Sequence, residues 1–279
     1  MDDRQDSDPL EDLEISLLLE GVHQRYGYDF RQYAYPSLRR RIRNILRAEQ
    51  LSSISCLQDR VLRDTAALDR LVLGITVAVT AMFRDPDFYR QLREKVVPML
   101  RTYPFVRIWH AGCATGEEAY SMAILLEEEG LYERCRIYAT DMNQLAIKRA
   151  RDGIFSLGLM KEYTENYLRA GGKACFSDYY SADSQDVILR KSLRRNMVFA
   201  QHNLVNDRSF NEFNFILCRN VMIYFQKPLQ ERVFRLLHDS LRRFGVIALG
   251  SKESVNLSPY ESCYEKLEGC RTLYKKVGP

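Results

Sequence analysis

The sequence predicts an α/β fold: a mostly parallel sheet covered on both faces by helices, preceded by a separate all-helical domain. Three observations carry this. Apolar residues recur at helical spacing through residues 1–75. From about residue 105, short apolar runs alternate with helical segments, the pattern of strands joined by crossover helices. Between residues 160 and 196 neither period holds, which predicts an inserted subdomain. In open sheets of this kind, insertions at strand ends flank the ligand site.

In the first region, "LEDLEISLLLEGVHQRYG" reads as a helix that breaks near Gly27. "YPSLRRRIRNILRAEQL" follows, with Ser37 as its expected N-cap. Leu38, Ile42, Ile45 and Leu46 fall on one face, and Arg39, Arg43 and Arg47 line another with Arg40 and Arg41 beside them. This is an amphipathic, strongly basic helix. "SISCLQDRVLRDTAALDRLVLGI" continues the helical pattern. In the second region, "VRIWHA", "CRIYATD", "MVFAQHNL", "FNFILCRN" and "VIALG" read as successive strands. The helices between them include "GEEAYSMAILLEEEG", "NQLAIKRARDG" and "KPLQERVFRLLHDSLRRFG"; Gly245 is expected just past the end of the last. "YEKLEGCRTLYKKV" reads as a closing pair of strands.

Composition narrows the function classes. A net charge of +4 on 279 residues is too mild to imply nucleic acid, so local charge matters more than the total. The seven cysteines are scattered with no CxxC pair, which fits reduced thiols. The four histidines show no metal-ligand spacing, and no metal is expected. The acidic start lacks the features of a signal peptide. No apolar run approaches the roughly 20 residues that cross a bilayer. A cytoplasmic location without membrane insertion is the expectation.

The chemistry concentrates at strand ends. In "AGCATGEEAY", Gly112 and Gly116 bracket a strand-to-helix turn that lets a ligand approach backbone and helix N-terminus. Glu117 and Glu118 follow at once. They would repel a diphosphate and suit a cationic ligand; an acidic first helical turn that stabilises the helix dipole is the plain alternative. Asp141 ends the second strand, where an acidic residue accepts ribose hydroxyls or caps the next helix. Together these point to a nucleoside without phosphates, and S-adenosylmethionine, with its sulfonium and amino-acid tail, fits. Either glutamate could receive the tail's ammonium. In "FILCRNVMIYF" a buried strand ends in Arg219 and Asn220, with Tyr224 shortly after; "QHNL" places Asn203 where it could bond an adenine edge. "TAMFRDPDFY" puts Arg84 at the junction of the two regions.

The chain resembles the chemotaxis-receptor glutamate methyltransferases of the CheR type. The matching strings are "VTAMFRDPDFY", "IWHAGCATGEEAYSMAI", "ATDMNQLAIKRARDGIF", "NLV", "FILCRNVMIYF" and "LGSKESV", in the family's order. The resemblance implies a class I (Rossmann-like) methyltransferase sheet with an N-terminal all-helical domain over residues 1–75. The methyltransferase domain would run over 76–279, with a small inserted β subdomain near 160–196. It implies S-adenosylmethionine as cofactor, S-adenosylhomocysteine as product, and glutamate side chains on the helical cytoplasmic region of a bacterial chemoreceptor-like protein as substrate. Carried over as cofactor-binding are Thr80, Arg84, Glu118, Asp141, Asn203, Leu204, Arg219 and Asn220, with Glu118 favoured over Glu117. Arg84 and Tyr224 match the positions beside the transferred methyl. The helix carrying Arg39, Arg40, Arg43 and Arg47 matches one that meets the acidic substrate. The sequence departs from the family's pattern at Ala78, where an asparagine is usual, and at Met82–Phe83, where two phenylalanines are usual. The alternatives are a methyltransferase of another substrate class and a non-enzymatic cofactor-sensing module.

Overall fold

A seven-stranded sheet forms the centre of the larger of two compact units. The computed structural model describes residues 8–76 and 80–278; Ala78 lies outside them. The first unit takes the chain up to residue 77 together with Tyr224–Gln230, and the second takes the rest.

Among the described residues, four helices lie wholly within the first unit. α1 (Pro9–Tyr26) starts where the Asp8 carboxylate accepts from the Leu10 N–H and stops at Gly27, whose φ of 78° allows the left-handed turn. It buries Ile15, Leu18, Leu19 and Val22. α2 (Tyr35–Ala48) begins three residues earlier than expected. Its N-cap is Ala34, and Ser37 lies in the first turn, where its hydroxyl accepts from Arg41 Nε at 3.2 Å. The expected third helix is two: α3 (Ile54–Arg63) and α4 (Thr65–Ile75) part at Asp64, whose carboxylate accepts from the Ala66 N–H. Tyr224–Gln230 joins this unit through backbone bonds, Ala34 N–H to Tyr224 C=O and Gln226 N–H to Gln32 C=O, both 2.8 Å.

In the second unit a helical run passes from α5 (Pro86–Gln91) through a π-turn segment (Leu92–Val96) into α6 (Val97–Arg101). Then come β1 (Val106–Ala111), α7 (Glu117–Glu128), β2 (Cys135–Asp141) and α8 (Gln144–Asp152). The inserted subdomain starts earlier than expected. It comprises β3 (Ile154–Ser156), α9 (Met160–Arg169), β4 (Tyr180–Ala182) and β5 (Asp186–Leu189), the strands forming a small antiparallel sheet. Glu128 on α7 ties it down, accepting from the Tyr167 and Tyr179 hydroxyls and the Lys173 N–H and pairing with Arg93.

The main sheet resumes with β6 (Met197–Gln201), β7 (Phe213–Cys218), α10 (Lys227–Ser240), β8 (Leu241–Leu249), β9 (Tyr264–Lys266) and β10 (Leu273–Lys276). Strand order is β6-β2-β1-β7-β8-β10-β9, parallel from β6 to β8 and antiparallel beyond. Gly245 is therefore not a helix terminator. α10 ends at Ser240, where buried Lys276 donates to the His238 and Leu241 carbonyls. "LRRFG" is the bulged start of β8, with Phe244 at φ 64° and a register shift opposite Phe213–Phe215. β7 is buried along its whole length, as a central parallel strand should be.

Candidate functional site

Parallel order puts the C-terminal ends of β6, β2, β1 and β7 side by side on one edge of the sheet. These are the ends that deliver Asn203–Leu204, Asp141, the Gly112–Gly116 turn and Arg219–Asn220. The sheet thus brings together, within the second unit, most of the residues that the sequence singles out.

The turn after β1 needs its glycines. Gly112 has φ 81° and Gly116 φ 96°. A Cβ on Gly116 would stand 2.9 Å from Ala150 Cβ on α8, and one on Gly112 would stand 2.6 Å from a Val221 methyl. The glycines thus serve close packing of the turn against its neighbours as well as its backbone conformation. Asp141 fixes the turn from β2: its Oδ2 accepts from the Ala114 N–H and its Oδ1 from the Asn143 N–H, both 2.9 Å. It does not cap α8; Asn143 does, accepting from the Leu145 and Ala146 N–H groups. Burial pushes the Asp141 carboxyl up, against the pull of its backbone donors.

Glu117 and Glu118 separate sharply. Glu117 is buried, bonded to Thr115 Oγ1 at 2.7 Å and facing the Tyr163 hydroxyl, and burial raises its pKa. Glu118 joins a charge cluster. Its Oε2 accepts from Arg219 Nη1 at 2.8 Å and its Oε1 from His110 Nδ1 at 3.0 Å. A carboxylate only accepts, so the His110 proton sits on Nδ1. Burial works to raise the Glu118 pKa, but the His110 bond and the Arg219 charge outweigh it and hold the group below the usual range. Arg219, its side chain 3% exposed, also donates through Nη2 to Asp85 at 2.7 Å and lies 3.9 Å over the Phe88 ring. One guanidinium between two carboxylates leaves one negative charge in the cluster.

The loop before α5 is held in unusual backbone. Phe83 and Asp85 have φ of 52° and 60°, flanking half-buried Arg84. The Phe83 N–H donates to buried Ser121 Oγ at 2.9 Å. Asp85 is the N-cap of α5, yet its carboxylate goes to Arg219 instead of the helix N–H groups. Thr80 is half-buried just ahead of this loop. After β6, Asn203 closes its own turn, its Oδ1 accepting from the Val205 N–H, and Leu204 is buried beside it.

The first unit holds the remaining candidates. The Tyr224 ring lies under Arg41, 4.9 Å from its guanidinium. On α2, Arg39 and Arg43 do not both project freely: each makes two bonds to Glu11 on α1. The Arg39 side chain is only 14% exposed. Hydrogen bonds from Arg43 and then Arg39 lower the Glu11 pKa to about 2. Arg40 and Arg47 are exposed.

The site fits a cationic nucleoside. Net negative charge stands at the β1 and β7 ends, and a second carboxylate stands at the end of β2 beside a left-handed glycine turn. Residues 78–269 match the model of the CheR methyltransferase SAM binding domain, and residues 13–76 that of the CheR methyltransferase all-alpha domain. The chain belongs to the CheR methyltransferase family. It is an S-adenosylmethionine-dependent methyltransferase. A Pseudomonas putida relative named "Putative methyltransferase Cher3" is 48% identical over 95% of this chain and 97% of its own. A chemotaxis protein methyltransferase of Listeria innocua is 30% identical over 84% of this chain and 87% of its own. Another, from Salmonella typhimurium, is 28% identical over 88% and 85%.

Three contributors were not singled out from the sequence: His110, Asp85 and Glu253. A lone histidine in an apolar strand and an aspartate before a proline read as core and cap residues. Glu253 stands in a quoted string, but nothing local reveals what its carboxylate holds.

Proposed function

We propose that this protein transfers the methyl group of S-adenosylmethionine to glutamate carboxylates on the helical cytoplasmic region of a chemoreceptor-like protein, in chemotaxis. The relatives named chemotaxis protein methyltransferase support the pathway. The observation that carries the substrate class is the basic face of α2, where Arg40 and Arg47 are exposed and Arg43 is 43% exposed. Arg39 is the weakest member of the proposed docking set, because Glu11 occupies it. Such a face attracts acidic helices and gives salt-sensitive encounter. Work in the cytoplasm follows from this substrate; among the described residues no helix is long and apolar enough to cross a membrane.

In this reading Glu118, with Asp85 balancing Arg219, receives the ammonium of the cofactor's tail, and Asp141 receives the ribose hydroxyls. Asn203 and Leu204 bracket the base, while Thr80, Arg84, Arg219 and Asn220 complete the pocket. Bound S-adenosylmethionine supplies an electrophilic methyl on positive sulfur. A glutamate side chain, with pKa near ~4.3, is already the nucleophile at neutral pH, so no general base is needed. The protein's task is to orient the carboxylate and keep water away while opposite charges neutralise. Arg84 steers the carboxylate, and the Tyr224 hydroxyl donates a bond that fixes the carboxylate or its loop.

Incubation with methyl-labelled S-adenosylmethionine and a receptor cytoplasmic fragment tests this. A glutamyl methyl ester releases its label as methanol in mild alkali. Alkali-stable label would refute the carboxylate substrate, and absence of label on any receptor fragment would refute the partner class.

A further inference from the structure

Beyond β8 the chain turns at Gly250 and returns Glu253 against the loop that follows β7. The Glu253 carboxylate accepts from a cluster of backbone N–H groups. Oε2 takes Gly250 at 2.6 Å and Asn220 at 3.0 Å; Oε1 takes Val221 at 2.9 Å and Ile223 at 3.2 Å. Asn220 lies at φ 60°, in the left-handed region that asparagine enters more readily than most residues with a side chain. Closely spaced N–H groups converging around a left-handed residue form an anion-binding nest. Here the protein fills its own nest with a carboxylate. The fit is tight: a Cβ on Gly250 would stand 2.7 Å from Glu253 Oε2 and 2.8 Å from the Asn220 nitrogen.

What this nest holds in place is the candidate site. Arg219, immediately before it, reaches Glu118 and Asp85. Val221, inside it, packs a methyl where a Cβ on Gly112 would be. We propose that Glu253 is a positioning residue for cofactor binding: by filling the nest after β7 it aims Arg219 at Glu118 and seats Val221 against the Gly112 turn. Of the residues assigned to the cofactor its side chain touches only the Asn220 backbone N–H, and no side-chain group. The inference rests on the cofactor site described above and not on the protein substrate, so its test reads binding alone.

The test uses the full chain and S-adenosylhomocysteine calorimetry. Glu253→Ala empties the nest, and the dissociation constant should rise tenfold or more while the circular dichroism spectrum of the folded protein persists. Sodium formate at tens of millimolar should restore much of the affinity by occupying the emptied nest, and formamide at equal concentration should not. Glu253→Gln keeps the volume but turns an amide NH2 toward N–H donors; it should weaken binding in the same direction and supplies the measurement if the alanine variant fails to fold. Parent-like affinity in a folded variant would overturn the proposal. Equal rescue by formate and formamide, or rescue by neither, would overturn the nest assignment. A failure to methylate receptors with binding intact would count against the substrate reading and leave this one standing.

Discussion

Removing the Arg219 guanidinium should show how the charge cluster is built. In Arg219→Met, Glu118 loses its cation while its side chain remains 19% exposed and still takes a bond from His110. Stranding one partner of a buried pair costs about 3–5 kcal/mol. The remaining His110 bond and partial solvent access place this case at the lower end, about 3 kcal/mol. The Asp85 contact adds at most about 1 kcal/mol, because Asp85 is 53% exposed and water replaces the lost partner. Urea unfolding of Arg219→Met, Glu118→Gln and the double variant forms a cycle. The double variant should be less destabilised than the sum of the singles by about 2 kcal/mol, since the neutral amide that replaces the Glu118 carboxylate no longer needs a cation. S-adenosylhomocysteine affinity should fall in all three. Additive effects, with coupling below about 0.5 kcal/mol, would refute the claim that Arg219 and Glu118 act as one unit.

Three further outcomes follow from named contacts. Asp141→Ala strands the Ala114 and Asn143 N–H groups and removes the proposed ribose acceptor; calorimetry should show a dissociation constant raised about tenfold, and no change would count against that role. Gly116→Ala forces a methyl against Ala150 at a φ of 96°, and should cost about 1–3 kcal/mol in urea unfolding and weaken cofactor binding. Glu11→Gln should destabilise the protein at neutral pH. Because the folded pKa is depressed from 4.5 to about 2, the contribution is fully present above about pH 4.5 and lost as pH falls through about 2. The parent and Glu11→Gln unfolding curves should therefore converge in strong acid; a gap that persists near pH 1 would contradict the Arg39–Glu11–Arg43 clamp.

The strands and their order of appearance were legible because parallel strands read as apolar runs and the glycine turn has a fixed grammar. β7 is the clearest case, since every residue from Phe213 to Cys218 is buried. α9 was not legible because its buried positions are Met160, Tyr163 and Tyr167, and tyrosines with polar neighbours do not register as an apolar face. The split at Asp64 was hidden by apolar residues continuing on both sides of it. A glycine after an arginine-rich helix end looks like a terminator, whereas Gly245 lies within β8, beside the Asn214 carbonyl. The basic stripe of α2 was visible, but not that Glu11, on the preceding helix, would consume Arg39. The candidate site was legible one strand end at a time; the bonds that join the ends are non-local, and no spacing rule reports them.

Those bonds explain how the site bears its own strain. Six described non-glycine residues have positive φ, and four of them, Phe83, Asp85, Ala114 and Asn220, lie in the loops of the candidate site. That conformation costs on the order of 1–2 kcal/mol for Phe83 and Ala114 and less for Asp85 and Asn220, whose short polar side chains enter it more readily, so a free loop would relax. Each is instead tied by a bond from another element. Ser121 takes the Phe83 N–H, Arg219 holds the Asp85 carboxylate, Asp141 takes the Ala114 N–H, and Glu253 takes the Asn220 N–H. Strain of this kind persists where surrounding structure over-determines the backbone. Two of the tying groups, Asp141 and Arg219, are also proposed to hold the cofactor. A ligand bond to either therefore bears on a backbone conformation already fixed, and less ordering remains to oppose binding.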